Sequence, residues 1–136
     1  MSSTKPFLSE RLEKLQRLQD LDIHLQEAKD PKFRQVEEGM GFVISAEGLN
    51  KIQDIRDRCA MEMAGDELFR SDLRLYERIR QKYDRAVERI EAYICLGCYA
   101  TQPKAGLTLA IKQQMLPRCE NCGRILYWLV ERVTED

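Results

Sequence analysis

Four of the five cysteines fall into two C-x-x-C pairs, Cys95-Leu96-Gly97-Cys98 and Cys119-Glu120-Asn121-Cys122, with 20 residues between the pairs. Two residues between cysteines let a tight turn aim both sulfurs at one point. Two such turns supply four thiolates, the donor set of a closed tetrahedral site with zinc–sulfur bonds of about 2.3 Å. The spacer lies at the upper edge of the ribbon pattern, in which roughly 15–20 residues part the pairs. Gly97 and Gly123 offer the backbone freedom that tight knuckles require. A disulfide framework would disperse its cysteines so as to close loops, whereas Cys59 here stands alone far upstream.

The reading that follows is one structural zinc ion bound by Cys95, Cys98, Cys119 and Cys122. Iron accepts the same ligands. A dithiol redox pair is the other alternative, but such motifs open a helix in a βαβ setting, which this sequence lacks. Four protein ligands leave no coordination position for water or substrate, so the metal's role is energetic. A ribbon of this size is too small to pack a sufficient core alone. Structural zinc contributes on the order of 10–16 kcal/mol of apparent binding free energy to such folds. Four thiolates around a divalent ion leave a local charge of about −2, which Arg118 and Arg124 are placed in sequence to offset.

Upstream of the cysteines the pattern is helical. Leu8, Leu12, Leu15, Leu18, Leu21, Leu25 and Ala28 recur in steps of three and four, with Glu10, Arg11, Glu13, Lys14 and Arg17 on the wet side. The step from Leu15 to Leu18 breaks a strict heptad and argues against a long regular coiled coil. Asp30-Pro31 ends this helix. Residues 32–44 read as a connection that carries Glu37-Glu38 and tucks Phe42-Val43-Ile44 back onto the helices. Ser45 or Asn50 caps the next helix, Asn50 with Gln53 at capping-box spacing, and Leu49, Ile52, Ile55, Cys59 and Met63 form its stripe. After Gly65-Asp66, a third helix over 67–83 carries Phe69, Tyr76, Ile79 and Tyr83. From Arg85 the texture changes. Ile90, Ala92 and Ile94 alternate with polar neighbours, which favours a strand leading into Cys95, although Val87, Ile90 and Ile94 also fit a helix. Ile125 to Val130 suits a closing strand. The expected fold is mainly α: an antiparallel helical hairpin or small bundle over residues 1–84, then a β zinc ribbon over 85–136.

Hydrophobic residues are 43% and charged residues 33% of the 136, and the formal charge is −1. That balance suits a folded helical protein, and the charge names no partner. No apolar run approaches the roughly 20 residues of a membrane span. The first residues lack the apolar core of a secretory signal, so a cytoplasmic location is the default expectation.

The run Arg118-Cys119-Glu120-Asn121-Cys122-Gly123-Arg124-Ile125-Leu126-Tyr127 closely resembles the terminal motif of a bacterial family, the C4-type zinc ribbon proteins, in which a long helical hairpin precedes the ribbon. Tyr76-Glu77-Arg78-Ile79-Arg80, followed by a short apolar lead-in and the first knuckle, resembles that family's junction. The likeness spans roughly residues 73–128, and about 80 residues precede the ribbon here, a shorter hairpin than the family's. The resemblance implies ligand roles for the four cysteines, no catalytic residue, and a bacterial adaptor connected with transcription factors and with flagellar or secretion machinery.

Other features carry weaker signals. Arg70, Arg74, Arg78 and Lys82 recur every four residues and place a basic stripe on one side of a helix, able to meet phosphates or an acidic protein. Seven basic and seven acidic residues between 66 and 94 make a solvated face the simpler reading. His24 has no nucleophile or second histidine beside it in sequence. Cys59 lies on an apolar stripe, as a small core residue does. Tyr99, Tyr127 and Trp128 suit a miniature ribbon core better than base stacking. The leading expectation is a non-enzymatic protein that docks onto a partner protein. The rival is a nucleic-acid-binding ribbon using Lys104, Lys112, Arg118 and Arg124. The five basic and four acidic residues from 95 onward give that rival little counterion release to draw on.

Overall fold

A computed structural model describes residues 8–32, 35, 39–41 and 45–128. Within them the leucine stripe forms α1 (Leu8–Lys29), with Leu8, Leu12, Leu15, Leu18, Leu25 and Ala28 buried along one side. Ser45 caps α2 (Ala46–Ala64): its Oγ accepts from the Gly48 N–H at 3.1 Å. Asn50 therefore sits inside the helix, and the Gln53 amide donates to Asp57 rather than closing a capping box. Asp66 caps α3 (Glu67–Arg80), its carboxylate accepting from the N–H groups of Leu68 and Phe69. This helix ends three residues before Tyr83, so Lys82 belongs to the turn that follows it. Glu37-Glu38 and Phe42-Val43-Ile44 lie outside the described residues.

The three helices pack against one another, and two polar contacts fix how. Arg11, expected on the wet side of α1, is 5% exposed. Its guanidinium makes a bidentate pair with buried Asp72 of α3, at 2.7 and 2.8 Å. A buried arginine is tolerable only with such a planar, fully hydrogen-bonded partner. Asp22 of α1 accepts from the Tyr76 hydroxyl at 2.7 Å and from Arg56 Nε at 2.8 Å, joining all three helices. Of α2, Met63 alone is buried, and Ile55 is exposed despite its place on the expected stripe.

A three-stranded sheet follows, of order β2-β1-β3, built from β1 (Val87–Glu91), β2 (Ile94–Cys95) and β3 (Ile125–Tyr127). β1 pairs antiparallel with β2 and parallel with β3, in register Val87↔Ile125. The alternation read as one strand through Ile94 hides a reversal. Ala92 and Tyr93 both take left-handed backbone, φ 49° and 61°, and turn the chain in two residues. Two positive φ values match the right-handed twist of a tight hairpin, although Asn-Gly is the pair that adopts them at least cost. Between the knuckles the chain forms a further helix, α4 (Lys104–Lys112), so the architecture is four described helices and a small sheet.

The sheet divides two clusters. Val87 and Ile125 face the helices and share a core with Leu8, Leu12, Leu15, Leu18, Met63, Phe69, Tyr76 and Ile79, with Tyr127 packed against it. Ile90 and Leu126 face the other way, toward the cysteines, Leu107 and Trp128. The buried side-chain amide of Gln19 behaves like another strand: its Nε2 donates to the Val87 carbonyl at 2.9 Å, and its Oε1 accepts from the Val87 N–H at 2.7 Å. Both backbone groups of a strand residue buried under α1 are thereby satisfied. No helix of the described residues is long and apolar enough to cross a membrane.

Candidate metal centre

Cys95 enters the site from β2, whose pairing with β1 fixes its backbone. The first knuckle then closes through the Tyr99 N–H to the Cys95 carbonyl and the Cys95 N–H to the Ala100 carbonyl, at 2.6 and 3.0 Å. The second knuckle repeats the device, with the Gly123 N–H donating to Cys119 O and the Cys119 N–H to Arg124 O, at 2.9 and 2.8 Å. In each knuckle the residue after the second cysteine is left-handed: Gly123 at φ 79° and, without glycine's freedom, Tyr99 at φ 63°.

Gly97 serves a different end from the one its sequence position suggested, since its φ is not positive. A side chain there would lie 2.1 Å from Arg124 Nη1. Gly97 leaves room for the Arg124 guanidinium, which stacks on the Tyr83 ring at 4.0 Å and so joins the knuckle to the turn after α3. Arg118 donates to the Gly123 carbonyl at 3.0 Å. Both arginines thus border the knuckles, where positive charge offsets thiolates.

The four sulfurs converge. All lie within 4.8 Å of one another, with Cys98–Cys119 at 3.5 Å and Cys95–Cys122 at 3.9 Å. A tetrahedron with bonds of about 2.3 Å has sulfur–sulfur edges of about 3.8 Å. The donor set and its spacing therefore fit one four-coordinate metal ion. Cys95 and Cys119 are buried, and Cys98 and Cys122 half-buried. Their acidities differ. Burial pushes Cys122 up to about 12 and raises Cys95, whereas the Asn121 side chain and the Ala100 backbone hold Cys98 down at about 6. A cation that binds here must displace protons, and metal capture is tied to their release.

Sequence reasoning missed one participant. Gln102 is 3% exposed. Its Nε2 donates to Cys119 Sγ at 3.2 Å and to Ala100 O at 3.0 Å, and its Oε1 accepts from the Glu120 N–H at 3.0 Å. The faint signal in the sequence was its place directly before Pro103, where the chain turns into α4.

The remaining candidates lie apart from the cysteines. Arg70, Arg74 and Arg78 are exposed along α3, and Lys82 is exposed beyond its end. Lys104 and Lys112 are exposed at the two ends of α4. Cys59 is half-buried beside the helical core, where burial raises its thiol pKa. His24 is exposed on α1. Trp128 and Tyr127 pack on opposite faces of the sheet as core residues, but Tyr99 is 75% exposed and belongs to neither cluster.

Fold and site together define a mainly helical protein that carries a four-cysteine metal site on a small sheet. Among known proteins, no protein-family model matches the chain, and no curated protein is similar to it. The solved structure of CT398 from Chlamydia trachomatis matches over 90% of this chain and 80% of that one, at 20% identity, with a TM-score of 0.37, too low to define a shared fold.

Proposed function

We propose that this chain is a non-enzymatic interaction protein in which one structural zinc ion, held by Cys95, Cys98, Cys119 and Cys122, braces a ribbon that docks onto a partner protein. The observation that carries the reading is α4. It is tethered between two knuckles whose four ligand positions are all cysteine, and none of its nine residues is fully buried, Leu107 packing partly against the cysteine cluster. A site closed by four thiolates leaves no position for substrate, and Leu109, Ile111 and nearby Met115 stand exposed beside it. Apolar surface presented by a rigid element marks places where proteins meet. The Arg70, Arg74, Arg78 and Lys82 stripe is a second contact surface, and among the described residues none of the four is in an ion pair. The resemblance of Arg118 to Tyr127 to C4-type zinc ribbons supports a bacterial, cytoplasmic adaptor in transcription or in flagellar or secretion machinery.

Metal comes first in the test. Elemental analysis is expected to find one zinc per chain, lost in Cys119→Ser and kept in Cys59→Ser; iron in its place, or the reverse pattern, would refute the assignment. Wild type, Leu109→Glu and Arg74→Glu/Arg78→Glu/Lys82→Glu are then compared for captured protein and for RNA and DNA binding. Loss of a captured protein in either variant, with negligible nucleic-acid binding throughout, is the expected result. The exposed basic stripe favours the rival. Submicromolar nucleic-acid binding that falls steeply with salt and vanishes in the triple variant would establish a nucleic-acid-binding ribbon instead.

A further inference from the structure

Gln102 buries its amide between the two knuckles, and both N–H groups and the oxygen of that amide are hydrogen-bonded. One N–H goes to the Ala100 carbonyl behind the first knuckle and the other to the Cys119 sulfur, while the oxygen takes the Glu120 N–H inside the second knuckle. Its own backbone is tied as well, the Gln102 N–H donating to Tyr93 O at 2.6 Å. A side chain held by three hydrogen bonds on a backbone that is itself tied has no freedom to turn away from the sulfur. The Cys122 N–H also points at Cys119 Sγ, at 3.4 Å.

We infer that Gln102 is a positioning residue of the metal centre: through its N–H···S bond it holds Cys119 in place, withdraws charge from that sulfur, and protects Cys119 from protons and other electrophiles. A hydrogen bond to a thiolate lowers the energy of the sulfur lone pairs and so reduces both its donor strength and its reactivity toward electrophiles. Around a four-thiolate centre, whose excess negative charge favours loss of a ligand, such withdrawal stabilises the loaded state. Burial strengthens the effect, because little water competes for the sulfur at 3% exposure. The inference rests on the metal-binding reading above, and the experiment separates the two.

Cobalt(II) replaces zinc as the probe, because its sulfur-to-metal charge-transfer band reports thiolate donor energy. Wild type, Gln102→Met and Gln102→Glu are titrated with cobalt(II), then challenged with a chelator and, separately, with iodoacetamide, the modified cysteine being located by mass spectrometry. Gln102→Met keeps the length of the side chain and removes the donor. It is expected to bind one cobalt per chain with 10- to 100-fold weaker retention, a charge-transfer band moved to lower energy, and faster alkylation of Cys119 than of Cys119 in wild type. Gln102→Glu keeps the shape and the acceptor, so it restores the Glu120 contact without restoring the band. A Gln102→Met protein with the wild-type band and wild-type Cys119 reactivity, altered only in melting temperature, would reduce Gln102 to a packing role and overturn the inference. A wild-type chain that takes up no cobalt would overturn the metal reading first, and this inference with it. If Gln102→Met fails to fold, the Gln102→Glu band decides: a wild-type position refutes the inference.

Discussion

Tyr99 and Gly123 hold the same place in the two knuckles, one residue beyond the second cysteine, and both need left-handed backbone. Only glycine adopts it freely; for other residues the cost is roughly 1–2 kcal/mol. Tyr99 is exposed and packs in neither core cluster, so Tyr99→Gly should stabilise the loaded protein by about 1 kcal/mol, while Gly123→Ala should destabilise it by a similar amount. Denaturant melts of the two variants check this; opposite signs would remove the strain argument. The acidities of the ligands give a second expectation. With Cys95 raised and Cys122 near 12, both carry protons in the metal-free chain at neutral pH, and binding expels them. Apparent affinity must then rise with pH and fall in acid, about ten-fold per pH unit for each proton released. Cys98, held near 6, adds to that slope only below about that pH. Chelator competition at pH 6 and pH 8 measures it, and a flat profile would refute it. The convergence of Cys95, Cys98, Cys119 and Cys122 on one point was legible in the sequence because it follows from local spacing. Arg11 was not: a helical wheel assigns arginine to water, and the partner that buries it, Asp72, lies 61 residues away.

Helix α1 meets α3 through that Arg11–Asp72 pair, so the pair tests how the elements are locked. Asp72→Ala leaves a guanidinium buried without its counter-ion, and should cost about 3–5 kcal/mol. Arg11→Met/Asp72→Leu should recover most of the loss, because a buried ion pair is worth little against apolar side chains of similar volume. Chemical denaturation of both variants decides; a double variant as unstable as Asp72→Ala would show that the pair itself stabilises the fold. At this scale the sequence was readable wherever an element repeats its own period. α1 and α3 followed their stripes, since one buried side at 3.6 residues per turn is a local property. The β1–β2 hairpin escaped because Ala92 and Tyr93, which turn it, are not residues that announce a turn. α4 escaped for another reason. None of its nine residues is fully buried, Leu107 packs only partly against the cysteine cluster, and so short a helix with so little buried carries no clear apolar stripe to read.

For the whole molecule, the contact between helices and sheet matters most. Metal removal should release residues 87–127 while the helices keep more than half of their far-UV signal, and Trp128, packed beside the cysteines, should report the change by fluorescence. The melting temperature of what remains should fall, because Val87 and Ile125 leave the core that they share with the helices. Far-UV circular dichroism with and without chelator checks this. Full collapse of the helical signal would show that residues 1–84 and 85–136 fold as one unit. The same shared core sets an order of events during synthesis. A ribosome delivers Leu15 more than a hundred residues before Ile125, the strand residue that shares its core cluster. Contacts so distant along the chain form late, and a nascent hairpin that exposes its apolar side in the meantime is open to aggregation. The last knuckle emerges just ahead of β3, so capture of the metal and closure of the helical core fall within the same few residues of elongation.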